Sequence, residues 1–139
     1  MADFNKFQSF VEAVAEKKHD LGSDTLKVAL TNSAPVATNT VLANITQIAN
    51  GNGYTTGGAQ ATQTSSAQTS GTYKLVLADV LFTASGGSIG PFQYAVLYND
   101  TATNDELIGW YDYGTPLTIT TGNGFLVDFD PSTGILTIA

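Results

Sequence analysis

The only histidine, His19, stands in KKHDLGSD, with Asp20 and Ser23 within four residues of it. These are the side-chain types of a nucleophilic triad, in which a histidine takes the serine proton while a carboxylate orients the ring. Triad members converge in space, and residues this close along one chain rarely do. A solvated helix end is the simpler reading of the stretch. Asp105 and Glu106 are adjacent, so in a strand they point to opposite faces rather than across a sugar ring. With Asp100 they read as a polar loop. Asp112 follows Trp110 and Tyr111, an aromatic platform beside an acid of the kind that binds sugars, although a core role explains Trp110 more simply. Asp128, Asp130 and Ser132 begin like a calcium loop. The pattern then fails, with Thr133 where glycine belongs and Ala139 where the bidentate glutamate belongs. One histidine and no cysteine cannot furnish a structural zinc site. Neither GxxxxGK[ST] nor GxGxxG occurs. The expectation is a protein that is not an enzyme, with no catalytic residue, no metal and no cofactor.

Composition narrows the partners. The 139 residues carry a net charge of −7, with five lysines and no arginine. Nucleic-acid binding rests on clustered cations, and the only cluster is Lys17-Lys18-His19, so neither nucleic acid nor an anionic membrane is an expected partner. No run approaches the ~18 apolar residues of a spanning helix. The N-terminus lacks the pattern of a signal peptide, so cytoplasmic synthesis of a soluble protein is expected. A chain of this length reads as one domain, 1–139.

The elements that must position these residues are mainly strands. Phe4, Phe7, Val11 and Val14 recur at helical spacing and predict a helix within 1–20, capped by Asp3 and ended at Gly22. Thr25–Thr31 alternates as a strand. Leu42, Ile45 and Ile48 within Thr38–Asn50 predict a short second helix, and Asn50-Gly51-Asn52-Gly53 a tight reversal. From Val28 to Tyr73 no side chain is charged, and residues 55–72 are nearly all Thr, Ser, Gly, Gln and Ala. That segment fits either an ordered arm or a loose loop. An uncharged polar surface suits docking against protein, because no ion is desolvated. Tyr73–Thr83 reads as two strands broken at Ala78-Asp79. Gly86–Asp100 reads as a glycine-rich turn feeding a central strand, with Phe92, Tyr94, Val96 and Tyr98 on one face and Gln93, Ala95 and Leu97 on the other. Glu106–Tyr113 is a further strand, broken by Gly114-Thr115-Pro116. Leu117–Ala139 reads as a set of hairpins, with TGNG and DPSTG as the reversals. The pattern predicts an antiparallel β-sandwich or barrel over 21–139.

Two stretches, LGSDTLKVALTNSAPVATNTVLANITQIANGNGY (Leu21–Tyr54) and TSGTYKLVLADVLFTASGGSIGPFQYAVLYNDTA (Thr69–Ala102), resemble small virion proteins of tailed bacteriophages. Among these they are most similar to the cement, or decoration, proteins of HK97-type shells. The resemblance implies a jelly-roll-like β-sandwich on the outer surface of the virion. It further implies a homodimer and, as partner, the major capsid protein. Its motifs are structural phrases, and no contact residue carries over with them. A tail or fibre-base protein, or a carbohydrate-binding sandwich using Trp110, Tyr111 and Asp112, are the other readings. Three surfaces are the interface candidates: the helix stripe with Phe4, Phe7 and Val11, the arm with Thr62, Thr64 and Thr69, and the terminal strand with Ile135 and Ile138.

Overall fold

A computed structural model describes residues 2–139. In chain order the elements are β1 (Phe4–Lys6), α1 (Ser9–Ala15), β2 (Leu26–Thr31), a 3-10 turn (Leu42–Asn44), β3 (Ala59–Ala61), β4 (Gln63–Thr69), β5 (Thr72–Leu77), β6 (Val80–Thr83), β7 (Ile89–Asn99), β8 (Leu107–Ile119), β9 (Gly124–Val127) and β10 (Leu136–Ile138). β1, β8, β7, β2 and β3 form one sheet in that order; β10-β5-β4 and β6-β9 form two smaller ones. Every strand pair is antiparallel. The mainly β, sandwich-like architecture is as expected, whereas the jelly-roll refinement does not follow from this strand order.

The main core joins Leu26, Val28, Leu30, Ala95, Leu97 and Ile108 of the large sheet to Leu75, Leu77, Val80, Phe82 and Val127 of the smaller ones. A second cluster, Phe7, Ala29, Ile45, Val96, Tyr98 and Leu107, lies on the other face of the large sheet. That sheet is therefore covered on both sides, which is why β2 and β7 read as nearly continuous apolar runs. Phe7, with Leu42 and Ile45 from the chain between β2 and β3, supplies the second cover, while Tyr54 of the same connection enters the main core. Tyr54 Oη accepts the Leu30 N–H at 3.1 Å and donates to Gln47 Oε1 at 2.6 Å, while Tyr98 Oη donates to the Gly57 carbonyl at 2.6 Å. The Asn-Gly reversal is present: Asn52 and Gly53 both have positive φ, and Gly51 and Tyr54 exchange backbone bonds around them.

Three local expectations need correction. Phe4–Lys6 does not begin a helix, because it pairs with Gly109–Tyr111 as the edge strand of the large sheet. Gly109 makes that approach possible: a Cβ there would stand 2.6 Å from the Asn5 carbonyl oxygen. The helix starts only at Ser9, so its buried face is Phe10 and Ala13, and Val11 points outward. It ends at Ala15 and is closed by Lys17, not Gly22. Lys17 takes φ 66°, the Lys17 N–H donates to the Val14 carbonyl, and the Lys18 N–H donates to the Ala13 carbonyl. This is a Schellman closure with lysine where glycine is usual. The second helix reduces to the 3-10 turn. Asn44 Oδ1 accepts the Thr40 and Val41 N–H groups, a local bond that competes with helix propagation.

Register shifts correct the strand faces as well. Residues Leu97 and Tyr98 of β7 oppose Gly109 and Leu107 of β8, so one β8 residue is extra. Ile108 and Tyr111 consequently share the main core while Leu107 and Trp110 serve the other side. A second shift between Phe92 and Tyr94 brings Phe92 to the same core as Ala95 and Leu97. The glycine-proline break at 114–116 is absorbed there, and β8 runs on to Ile119.

Candidate interaction surfaces

The proposed interface residues separate into buried and accessible sets. Phe7 is buried against Trp110, with ring centroids 4.6 Å apart, and Ile135 is buried in the main core. Neither is free to meet a partner; both are intramolecular packing. Phe4 is half-buried, with its ring edge on Tyr111. Val11 is 54% exposed and Ile138 39% exposed. Although they come from opposite ends of the chain, the two line one groove of about 250 Å³ with Lys6, Phe10, Val14 and Thr137. Two of the three surfaces, helix and terminal strand, thus merge into one.

The uncharged segment is ordered. Ala59–Ala61 pairs with β2, and Gln63–Thr69 pairs with β5 as the outer strand of the β10-β5-β4 sheet. Ser70 and Gly71, both at positive φ, close this hairpin. Gln63 Nε2 donates to the carbonyls of Leu21 and Asp24, which ties its base to the turn after α1. Thr62, Thr64 and Thr69 are exposed, and Thr64 sits at the bulge between Gln63 and Ser65. No residue of β4 beyond Gln63 is even half-buried. An outer strand normally carries charge or proline to discourage pairing, and β4 has neither.

The chemistry-bearing residues find structural partners. His19 is buried beside Phe10, and its Nδ1 lies 3.0 Å from Asn99 Nδ2. Asn99 Oδ1 accepts the Thr101 and Ala102 N–H groups, and Nδ2 also donates to Asp24 Oδ2 at 2.7 Å. That amide orientation makes His19 Nδ1 an acceptor and leaves the proton on Nε2, which is buried without a partner among the described residues. Burial holds the His19 pKa below its ordinary value against the pull of Glu106 and Asp24. The carboxylate in this network belongs to Asp24 rather than Asp20, and the assembly cross-links two turns. Asp130 Oδ1 accepts from Ser132 N, Ser132 Oγ and Thr133 N, closing the turn that resembled a calcium loop and pulling its pKa down to about 2. Among the described residues there is no cluster of metal-ligating side chains, and no helix is long and apolar enough to cross a membrane.

Trp110 and Tyr111 lie on opposite faces of β8, so the supposed sugar platform is divided. Tyr111 and Asp112 instead line a different groove, of about 600 Å³, with Ala2, Tyr113, Phe125, Leu126 and Asp128. The hairpins expected around TGNG and DPSTG do not form, since β8, β9 and β10 pair with β7, β6 and β5 in three different sheets, and Phe125 meets Tyr113 by ring packing between sheets. Leu126 is 48% exposed, and its cross-strand partner Leu81 is 60% exposed. Comparison with protein-family models, curated proteins and solved structures finds no match to this chain.

Proposed function

We propose that this chain is a structural virion protein that binds the outer surface of a phage capsid and stabilises the shell as a cement protein. The observation that carries the proposal is β4, the ordered, exposed and uncharged outer arm of the β4–β5 hairpin, on a sandwich covered on both faces of its large sheet. Such an arm meets a protein surface without desolvating ions, and its outer strand offers backbone groups for strand addition. The resemblance of Leu21–Tyr54 and Thr69–Ala102 to cement proteins supplies the partner, the major capsid protein, with a second copy of the chain as neighbour. The Val11–Ile138 groove provides a further contact surface. Virions lacking the protein are expected to release DNA at lower temperature and after milder osmotic shock than complete ones. Identical release curves for the two would contradict the proposal.

A further inference from the structure

Asparagine followed by glycine is open to rearrangement without an enzyme, because glycine has no side chain to shield its backbone nitrogen. The chain holds three such pairs, Asn50-Gly51, Asn52-Gly53 and Asn123-Gly124, and all three asparagines are exposed. The reaction needs a glycine nitrogen free to reach the asparagine Cγ and a carboxamide free to turn toward it. The fold meets these needs unequally. In the first pair both groups are engaged: the Gly51 N–H donates to the Tyr54 carbonyl at 2.7 Å, and Asn50 Oδ1 accepts the Thr56 N–H at 2.9 Å. In the second, Asn52 Nδ2 donates to the Ser88 carbonyl at 3.1 Å, and the carboxamide lies against Gly87, where a Cβ would stand 2.7 Å from its Cγ. Gly53 is pressed so closely on the end of β6 that a Cβ there would overlap the Thr83 carbonyl oxygen. The third pair differs. Thr83 and Gly124 stand opposite each other, and the Ala84 N–H donates to the Asn123 carbonyl. A ladder bond in that place makes Thr83 and Gly124 a non-hydrogen-bonded pair, so the Gly124 N–H points away from β6. β9 has no sheet neighbour on that side, and the Gly124 N–H has no partner among the described residues. Asn123 Nδ2 donates to Thr120 Oγ1, three residues back in the same exposed turn.

We propose that Asn123 is a site of spontaneous deamidation, the one of the three pairs at which the native fold leaves the reaction open. The Gly124 nitrogen loses its proton to hydroxide and attacks Asn123 Cγ. The new N–Cγ bond closes a succinimide ring as the Cγ–Nδ2 bond breaks, and ammonia leaves with a proton from water. Water then adds to one of the two ring carbonyls. Opening at Cγ gives aspartate, and opening at the backbone carbonyl gives isoaspartate; nothing is oxidised or reduced. Either product adds a negative charge at the start of β9. Isoaspartate also lengthens the main chain by one methylene. That insertion falls between the Asn123 N–H, which donates to the Thr120 carbonyl, and the carbonyl that accepts the Ala84 N–H, so both bonds of the turn are put out of register. The inference concerns the chain alone and does not depend on a shell.

The test is to age the whole folded protein in mildly alkaline buffer and, in parallel, the same protein unfolded in guanidinium chloride. Chymotryptic peptides are then followed by mass spectrometry with electron-transfer fragmentation, which separates isoaspartate from aspartate. In the folded protein Asn123 is expected to convert at least tenfold faster than Asn50 or Asn52, giving both products. In the unfolded chain the three sites are expected to convert at similar rates, because the bonds that hold Asn50 and Asn52 are gone. Equal rates at the three sites in the folded protein, faster conversion at Asn50 or Asn52, or an Asn123 that stays intact while folded would each overturn the proposal. So would an unfolded chain that keeps the folded order of rates, since the selection would then lie in the sequence and not in the fold. Each of these outcomes leaves the capsid reading standing, since that is judged on particles.

Discussion

At the scale of single residues, His19 shows how a side chain with catalytic potential is used structurally. Its Nδ1 faces the Asn99 amide N–H, so protonation would set a donor against a donor in a buried site. The charged and titratable groups around it are Asp24 and Glu106, which favour the imidazolium, and burial outweighs them. A folded-state pKa lowered from about 6.5 means the unfolded chain takes up the proton first. Stability is therefore at its full value above pH ~6.5 and declines as pH falls toward the folded-state pKa. Urea denaturation at pH 7.5 and pH 5.5 should show this loss, and His19→Gln should make it smaller. A second residue-scale prediction concerns β7. Val96 is fully buried and Tyr94 only half-buried, so Val96→Asp is expected to abolish the folded circular-dichroism signal while Tyr94→Asp melts lower but folds. The sequence pattern placed both on one buried face. They do share a face, in unbroken register with β8, but the second core cluster covers Val96 and Tyr98 and does not reach Tyr94.

At the scale of elements, what was legible depended on whether local pattern or a distant partner set the structure. The Asn52-Gly53 reversal and the break at Ala78-Asp79 are local, and both stand where the residues put them. The N-terminal segment is different. Phe4 and Phe7 have helical spacing with Val11 and Val14, yet the free edge of β8 claims Phe4–Lys6 as a strand. Nothing near residue 4 announces a strand that begins more than a hundred residues later. Phe7 and Phe10 then enter clusters on opposite faces of the large sheet, so the helix buries only Phe10 and Ala13 instead of the long stripe expected. The closing residue of α1 allows a prediction. Lys17 is exposed and holds φ 66°, a conformation that disfavours a side chain by roughly 1–2 kcal/mol. Glycine loses more backbone entropy on folding, by about 0.5–1 kcal/mol. Lys17→Gly is therefore expected to stabilise the protein by up to about 1 kcal/mol, read as a higher melting temperature. Gly22 does not adopt a positive φ, so Gly22→Ala costs no backbone strain, but a Cβ there would stand 3.0 Å from Ser66 Oγ, and that crowding offsets the entropy gained.

At the scale of the whole molecule, the two-sided covering of the large sheet leaves recognition to what lies outside it. Those features are the outer strand β4, the groove joining Val11 to Ile138, and the aromatic groove between β8 and β9. The uncharged composition of the first was visible in the sequence, although its pairing with β5 was not. The second required the two ends of the chain to meet, and the third required β8 and β9 to join different sheets instead of the hairpin that TGNG suggested, so no local signal marked either. With a net charge of −7 overall, an uncharged arm gives the molecule one surface on which another acidic protein can settle without like-charge repulsion. The cement-protein account is tested most directly by electron microscopy of the assembled particle. It predicts density of this size repeated over the outer shell, with the β4–β5 hairpin against the major capsid protein. Density confined to a single tail position, or none on the shell, would contradict it.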